Sequence, residues 1–586
     1  MYRAPIADIA HTLNHVAGLG AMIDEGLFPD LSADLVDAIL EEAGRFAADR
    51  VVPLRETGDR HGAKLEDGHV TTAPGWKELY TDWAAGGWNA VSGPVDHGGQ
   101  GLPLTLNMAA LEMWNSGSMA FALCPTLTMG AAETLEAHGT EALKATYLEK
   151  LVTGEWTGTM NLTEPQAGSD LNALRARAEP RGDGTYRIFG QKIFITYGEH
   201  DMTDNIVHLV LARLPDAPPG TRGISLFLVP KFLVNADGSL GARNDAVCGG
   251  LEHKLGIHAS PTCTMLYGDG HHGDEPGAIG WLVGEENRGL ACMFTMMNNA
   301  RLAVGMQGVA IAEAAYQKAL AFAHERRQGR APGEAGEGMS AIVAHGDVQR
   351  MLLTMKALTG AVRAINYSCA AAIDRSRHDT ANADFWTHRA NLLTPIAKAF
   401  ATDVGCEAAT IGVQVHGGMG FIEETGAAML MRDARIAPIY EGTNGIQAID
   451  LVGRKLPLEG GAHVHGYIGE LRDIAKETAA SNRPAFGETA QRLTAALDAL
   501  EEATTFLQGA DKETALAGAT PYLRLFGLAA GGAYLAKAGL ADADDARARL
   551  ARFYAENLLD ETRALAATVT GGAASLAEAA ALLEIA

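Results

Sequence analysis

"TYRIFGQKIFIT", residues 185–196, decides the fold. It is the first long run rich in β-branched and aromatic residues, after some 150 residues that read mainly as helix. Four similar runs follow: "NIVHLVLARL" (205–214), "GISLFLVP" (223–230), "TCTMLYG" (262–268) and "GAIGWLVG" (277–284). Gly, Pro, Asp and Asn separate them. The expectation is a small β domain of antiparallel strands embedded in a helical chain.

Upstream, "SADLVDAILEEAGRFAADRVVPL" starts with a cap near Ser32 and Asp34, carries Leu35, Ile39, Ala43 and Ala47 at helical spacing, and is expected to end at Pro53. "GGWNAVSGPVDHGGQGLPL" (86–104) reads as a Gly-rich loop. Helix returns in "LNMAALEMWNSGSMAFALC" and "TEALKATYLEKLVTGEW". Downstream, helix resumes near Gly289. In "VQRMLLTMKALTGAVRAINYSCAAA", Val348, Met351, Met355, Leu358, Val362, Ile365, Cys369 and Ala372 form a narrow apolar seam suited to a bundle. "GRAPGEAGEGMS" (329–340) reads as a flexible loop and "PLEGGAHVHG" (457–466) as a linker. Several Ala-rich amphipathic helices close the chain. The fold class is mainly α with a central β domain. The expected division is 1–156 helical, 157–284 β, 285–456 helical bundle and 457–586 an additional helical domain.

With 586 residues, several domains are expected. The composition, 47% hydrophobic and 20% charged, is that of a globular chain. No run of about 18 apolar residues suggests a membrane span, and the first residues lack a basic start followed by an apolar core. A formal net charge of −24 repels nucleic acid and anionic membrane. Six cysteines are scattered without a CxxC pair or neighbouring histidines, so buried thiols in the cytoplasm are expected, with no disulfide and no metal site.

Four polar, glycine-containing stretches stand out. "MNLTEPQAGSDL" (160–171) offers hydroxyls and backbone N–H groups that can grip a polar ring or phosphate. "GQKIFITYGEHD" (190–201) places Phe194 and Thr196 on one strand face, an aromatic beside a hydroxyl. "QVHGGMGFIEETG" (414–426) has adjacent glycines that let a pyrophosphate approach backbone. "RIAPIYEGTNGIQAIDLVGRKL" (435–456) sets Glu441 between an apolar run and a turn. Singly, each has an ordinary reading as a turn, a half-buried strand, an interhelical loop or a solvated Glu.

Jointly they carry more. "LTEPQAGSD", "KIFITYG", "HKLGIHASPTC", "NNARLAVG", "QVHGGMGF" and "MRDARIAPIYEGTNGIQ", in this order and spacing, resemble the acyl-CoA dehydrogenase family from about Gly86 to Lys455. The extra helices from about 460 onward resemble its long members. The opening "MYRAPIADIAHTLNHV" is similar to the branch that oxidises 3-methylmercaptopropionyl-CoA, while related long members act on ordinary fatty acyl-CoAs in β-oxidation.

The resemblance implies FAD, bound non-covalently between the β domain and the bundle. It implies that Thr163 and Thr196 contact the flavin ring and that Ser169 touches the CoA part of the substrate or the flavin's phosphate region. It implies that Arg301 helps hold CoA and that Arg326 reaches FAD across a subunit interface. It implies that Gln414, Gly417 and Gly418 hold the diphosphate from the neighbouring subunit and that Thr443 contacts FAD. Phe194 stands where the family has Trp, keeping an aromatic wall, and Tyr197 stands where it has Asn.

Glu441 falls on the family's usual catalytic base. The alternative position is Ala300, which cannot take a proton. The implied reaction is removal of the substrate's α proton by Glu441 with hydride transfer from the β carbon to flavin N5, giving a trans-2-enoyl-CoA. The Glu441 N–H is the candidate donor to the thioester oxygen. Burial should raise the Glu441 pKa to about 6–7. The implied partners are an acyl-CoA, an electron-transfer flavoprotein and a second copy of the chain in a homodimer. An oxygen-using acyl-CoA oxidase is the nearest alternative. A DNA-binding flavoprotein of the same fold is disfavoured by the acidic balance.

Overall fold

The computed structural model describes residues 2–333 and 338–584. Residues 334–337 of the loop expected at 329–340 lie outside the described residues, and its remaining positions are non-helical. The chain forms two compact units. One comprises Met1–Arg45, Pro103–Ser116 and Arg301–Ala586; the other comprises Phe46–Leu102 and Gly117–Ala300.

The second unit holds every strand among the described residues. A hairpin of β1 (Lys64–Glu66) and β2 (His69–Thr71) lies within the segment read as mainly helical. Its signal was the Asp67-Gly68 pair, both left-handed at φ +49° and +78°, which suits a two-residue hairpin turn. The main sheet contains β3 (Thr157–Asn161), β4 (Arg177–Pro180), β5 (Tyr186–Thr196), β6 (Ile206–Arg213), β7 (Ile224–Pro230), β10 (Ala246–Leu251), β11 (Thr262–Tyr267) and β12 (Ala278–Val283). A separate ribbon joins β8 (Phe232–Val234) to β9 (Leu240–Arg243). The five expected strands are all present. The main order is β10-β11-β5-β12-β7-β6-β3, with β4 paired to both β5 and β6.

The sheet departs from the antiparallel expectation at its end. β3 pairs with β6 in parallel, Thr157 opposite Ile206 through Asn161 opposite Val210. β6 is buried along nearly its whole length, the state in which parallel pairing is usual.

Helices dominate the first unit and also occur in the second. α1 (Ala33–Phe46) begins as expected, with Ser32 Oγ accepting from Leu35 N at 3.2 Å. Pro53 does not end the helical path. A π turn at Ala47–Val51 intervenes, and Pro53 then occupies the first turn of α2 (Val52–His61), where its missing N–H is no loss. The long α3 (Leu104–His138) loses helical geometry at Ser118, φ −160°.

The bundle contains α4 (Gly289–Glu325), α5 (Gly346–His378) and α6 (Ala383–His416), followed by the short α7 (Ala427–Ala434) and α8 (Asn444–Asp450). The apolar seam on α5 is buried from Met355 onward, but burial extends well around it, to Leu352, Ala357, Ala361 and Arg363. The reason lies in the C-terminal helices: α9 (Ala462–Ala480), α10 (Thr489–Gly509), α11 (Ala519–Ala541), α12 (Ala546–Asn557) and α13 (Glu561–Gly571). α11 packs directly on the bundle. A Cβ built at Gly531 would lie 2.8 Å from Ala361 Cβ, and one at Gly527 would lie 2.4 Å from the Phe400 ring. The linker expected at 457–466 is shorter than read. α9 already starts at Ala462, and His463 is buried.

Candidate active site

In the β-rich unit, the loop after β3 is held by a buried ion pair. Glu164 accepts from Lys192 Nζ at 2.8 Å and from the backbone N–H groups of Arg175 and Ala176 at 2.7 and 3.0 Å. Burial works to raise the Glu164 pKa, but Lys192 and these N–H donors outweigh it and hold the carboxyl below its ordinary range. Burial pushes Lys192 down to about 8, against the pull of Glu164. The pair pins Thr163 against β5, where Ile193 N donates to Thr163 O at 2.9 Å.

β5 is not a regular strand at this point. Its register on β11 shifts between Met265 opposite Lys192 and Cys263 opposite Ile195, which makes a bulge. Phe194 sits in the bulge at φ +62° and is 58% exposed, a large aromatic turned outward. Thr196, half-buried, ends the strand after the buried Ile195. The backbone bond from Ile193 sets Thr163 beside the stretch that carries Phe194 and Thr196. Ser169 lies further along the loop, exposed beside Gly168. Tyr197 has a different task. It is buried at φ +51°, accepts from Trp76 Nε1 at 3.1 Å and donates to Ala120 O at 2.8 Å, so it belongs to the scaffold.

In the helical unit, Glu441 occupies a tight turn between α7 and α8. Glu441 and Gly442 are both left-handed, φ +56° and +84°. The left-handed φ favours glycine at 442, and a Cβ there would come within 2.7 Å of Gln447 Nε2 and displace that amide. Thr443 caps α8, its Oγ1 accepting from Ile446 N at 3.2 Å.

The strongest tether comes from Lys398, fully buried on α6. Its Nζ donates to Gly442 O and to Asn444 Oδ1, both at 2.9 Å. Asn444 Nδ2 in turn donates to Ala399 O, Thr402 Oγ1 and Asp403 Oδ1. Tyr440 donates to Gln307 Oε1 on α4. Burial raises the Glu441 pKa from 4.5 to about 7, with Arg301 and then Lys398 opposing the rise. Burial pushes Lys398 down to about 8, with Glu441 opposing. The turn thus presents a carboxyl that changes charge near neutrality, the property of a general base. Sequence reading missed Lys398 and Asn444. The available signal was a lone Lys within the apolar run "LLTPIAKAFA".

Arg301, on α4, is buried, and the negative charges acting on it are those of Asp450 and Glu441, with Arg454 opposing them. Ala300 is buried and offers only a methyl group. The glycine stretch ends α6. Gly417, at φ +60°, and Gly418 are exposed, and a Cβ at either would meet nothing within 4 Å. Gln414 is exposed on the last turn of α6. His416 stacks on Phe322 of α4, ring centroids 4.5 Å apart, so Arg326 and the Gln414–Gly418 stretch lie at the same end of two packed helices. Met419, Phe421 and Ile422 follow, all exposed, Phe421 at 85%.

Four family models match the chain in order. "Acyl-CoA dehydrogenase, N-terminal domain" covers residues 34–155, "Acyl-CoA dehydrogenase, middle domain" 159–269, "Acyl-CoA dehydrogenase, C-terminal domain" 287–456 and "Acetyl-CoA dehydrogenase C-terminal like" 467–580. The chain is 45% identical to 3-methylmercaptopropionyl-CoA dehydrogenase of Ruegeria pomeroyi, across 98% of this chain and 99% of that protein. Among solved structures it is similar to Caenorhabditis elegans ACDH-11 in complex with C11-CoA. The TM-score is 0.77 at 20% identity, covering 95% of this chain and 92% of that one. It is also similar to a Bacillus anthracis acyl-CoA dehydrogenase complexed with FAD, with TM-score 0.73 at 20% identity, covering 92% and 89%.

Proposed function

The chain belongs to the acyl-CoA dehydrogenase family, and from that premise we propose that it desaturates an acyl-CoA thioester at Cα–Cβ with Glu441 as the base. The observation that carries this reading is the turn itself. Two left-handed residues and the Lys398 tether fix a carboxyl in surroundings that bring its pKa to about 7.

The thioester α proton is weakly acidic, so its acceptor must be unprotonated near neutral pH yet basic enough to hold the proton. Glu441 meets both needs. Its own N–H is the donor assigned to the thioester oxygen, where negative charge develops. Arg301 supplies a positive charge for the CoA portion.

FAD is the cofactor assigned here, and when bound it accepts the hydride from Cβ. The residues fit such a group. The exposed Phe194 ring, with Thr163 and Thr196 on neighbouring backbone, suits a flat heterocycle. The open backbone at Gly417 and Gly418, flanked by Gln414 and Arg326, suits a diphosphate. Thr443 and Ser169 complete the set.

The relative from Ruegeria pomeroyi supports 3-methylmercaptopropionyl-CoA as the first substrate to test. The exposed Met419, Phe421 and Ile422 beside the glycine stretch support a homodimer, and unpaired thiols support the reducing cytoplasm. Among the described residues no helix is long and apolar enough to cross a membrane. Electron-transfer flavoprotein is the assigned acceptor. The order of the four matched segments supports a division at 156, 284 and 456.

The test is anaerobic mixing of purified enzyme with a panel of acyl-CoAs. Flavin bleaching in the wild type, lost in Glu441→Gln with FAD retained, is the expected result. Bleaching at the wild-type rate in that variant overturns the assignment. Turnover with oxygen at the rate found with electron-transfer flavoprotein would make the protein an oxidase.

A further inference from the structure

Away from the catalytic turn, three side chains of the helical unit converge in a way the proposed reaction does not use. His388 on α6, Glu459 on the turn before α9 and His463 in the first turn of α9 each bring a ligand atom within 4.8 Å of the others. We propose that His388, Glu459 and His463 bind one divalent transition-metal ion of the zinc class, with water completing the coordination.

The spacings suit a shared ion. Glu459 Oε1 lies 3.3 Å from His388 Nδ1, and Glu459 Oε2 lies 3.8 Å from His463 Nδ1. Ligands 2.0–2.1 Å from a tetrahedral ion stand about 3.3 Å apart. The two imidazoles meet edge to face with centroids 5.6 Å apart.

The rings are otherwise left wanting. His463 is 6% exposed, and its Nε2 is buried with no hydrogen-bond partner. His388 Nδ1 is likewise buried without one, because its 3.3 Å approach to Glu459 lacks hydrogen-bond geometry. Leaving such atoms unsatisfied is costly, and coordination of His388 Nδ1, the nitrogen that faces Glu459, removes the cost there.

Local sequence explains how the set assembles. Glu459, Gly460 and Gly461 all have positive φ, +52°, +67° and +92°, and they turn the chain into α9. Glu459 thereby meets His463 four residues later, while His388 comes from a helix 75 positions upstream. Arg389, next to His388 on α6, is the cation whose charge reaches His463. The Arg389 charge is answered by Glu470, at 2.9 and 2.6 Å, which keeps it from opposing a cation at full strength. Two imidazoles and one carboxylate select zinc or ferrous iron over magnesium or calcium. The ion would staple α6, which also carries Lys398, to the first of the C-terminal helices.

The full-length flavoprotein, free of any affinity tag and stripped with chelator, is to be titrated with Zn²⁺, Fe²⁺ and Mg²⁺ separately. The expected result is one equivalent of Zn²⁺ bound with a rise in thermal midpoint, and a tetrahedral Co²⁺ absorption spectrum on substitution. Glu459→Gln, at an exposed position, should fold, retain acyl-CoA turnover and bind Zn²⁺ at least about tenfold more weakly. His388→Ala should do the same, and His465→Ala, two residues past the site, should leave Zn²⁺ binding intact. No stoichiometric binding below 0.1 mM, an order-of-magnitude limit for a three-ligand site, overturns the proposal. So does equal affinity in Glu459→Gln and His388→Ala, or a preference for Mg²⁺.

Discussion

Replacing Glu441 by Gln should make the protein more stable as it makes it inactive, and the gain should depend on pH. In the folded chain the carboxyl titrates at about 7, against 4.5 for the unperturbed group, chiefly because burial disfavours its charge. The folded state therefore holds the Glu441 proton more tightly than the unfolded chain does. By linkage, stability falls as pH rises from about 4.5 to about 7 and is level outside that window. At about 1.4 kcal/mol per tenfold, the loss is about 3 kcal/mol once pH exceeds 7. Glutamine has the same size and no charge to desolvate, so the variant escapes this loss. The assay is urea unfolding of wild type and Glu441→Gln at pH 5 and pH 8. The difference in unfolding free energy should move in favour of the variant by about 2–3 kcal/mol between the two. A constant difference, or one that moves toward the wild type at pH 8, would refute the account of a base held in desolvating surroundings.

Lys398→Met removes a positive charge that lowers the Glu441 pKa, so the acid limb of the pH–kcat profile should move to higher pH. It also strands Gly442 O and leaves Asn444 Oδ1 with only the longer bond from Thr402, at a cost of about 1–3 kcal/mol in unfolding measurements. Glu164→Gln leaves Lys192 buried without its counter-charge and should cost about 3–5 kcal/mol, with faster loss of FAD on dilution because the loop bearing Thr163 loosens. Gly442→Ala forces a side chain into a left-handed site and toward Gln447. A loss of about 1–3 kcal/mol and a lower kcat at unchanged FAD content are expected.

Much of this was legible because local chemistry reported it. Strand-forming runs marked β5, β6, β7, β11 and β12, and the Ser32 cap marked the start of α1. Glu441 was ordinary by itself and could be singled out only through the family resemblance, which sets it on the usual base and Ala300 on the alternative position. What escaped reading depended on partners remote in sequence. Lys398 meets Gly442 across 44 positions, and nothing near Lys398 announces that contact. The bulge at Phe194 is a property of β5 and β11 together, invisible in either run alone. Pro53 was read as a helix stop because a π turn that accommodates it leaves no compositional trace. The scattered histidines showed no cluster, since His388 and His463 meet only when α6 and α9 pack.

The parallel pairing of β3 with β6 sets an order of assembly. Residues 157–161 find their sheet neighbours 49 positions downstream, at 206–210, with β4 and β5 between. Such a contact closes a long loop, and contacts of that kind form slowly. The stretch that follows β3 contains Thr163 and is held by Lys192 and Ile193, so its own partners are complete before the strand that pairs with β3 is made. A chain released before residue 206 would carry that loop with β3 still lacking its parallel partner.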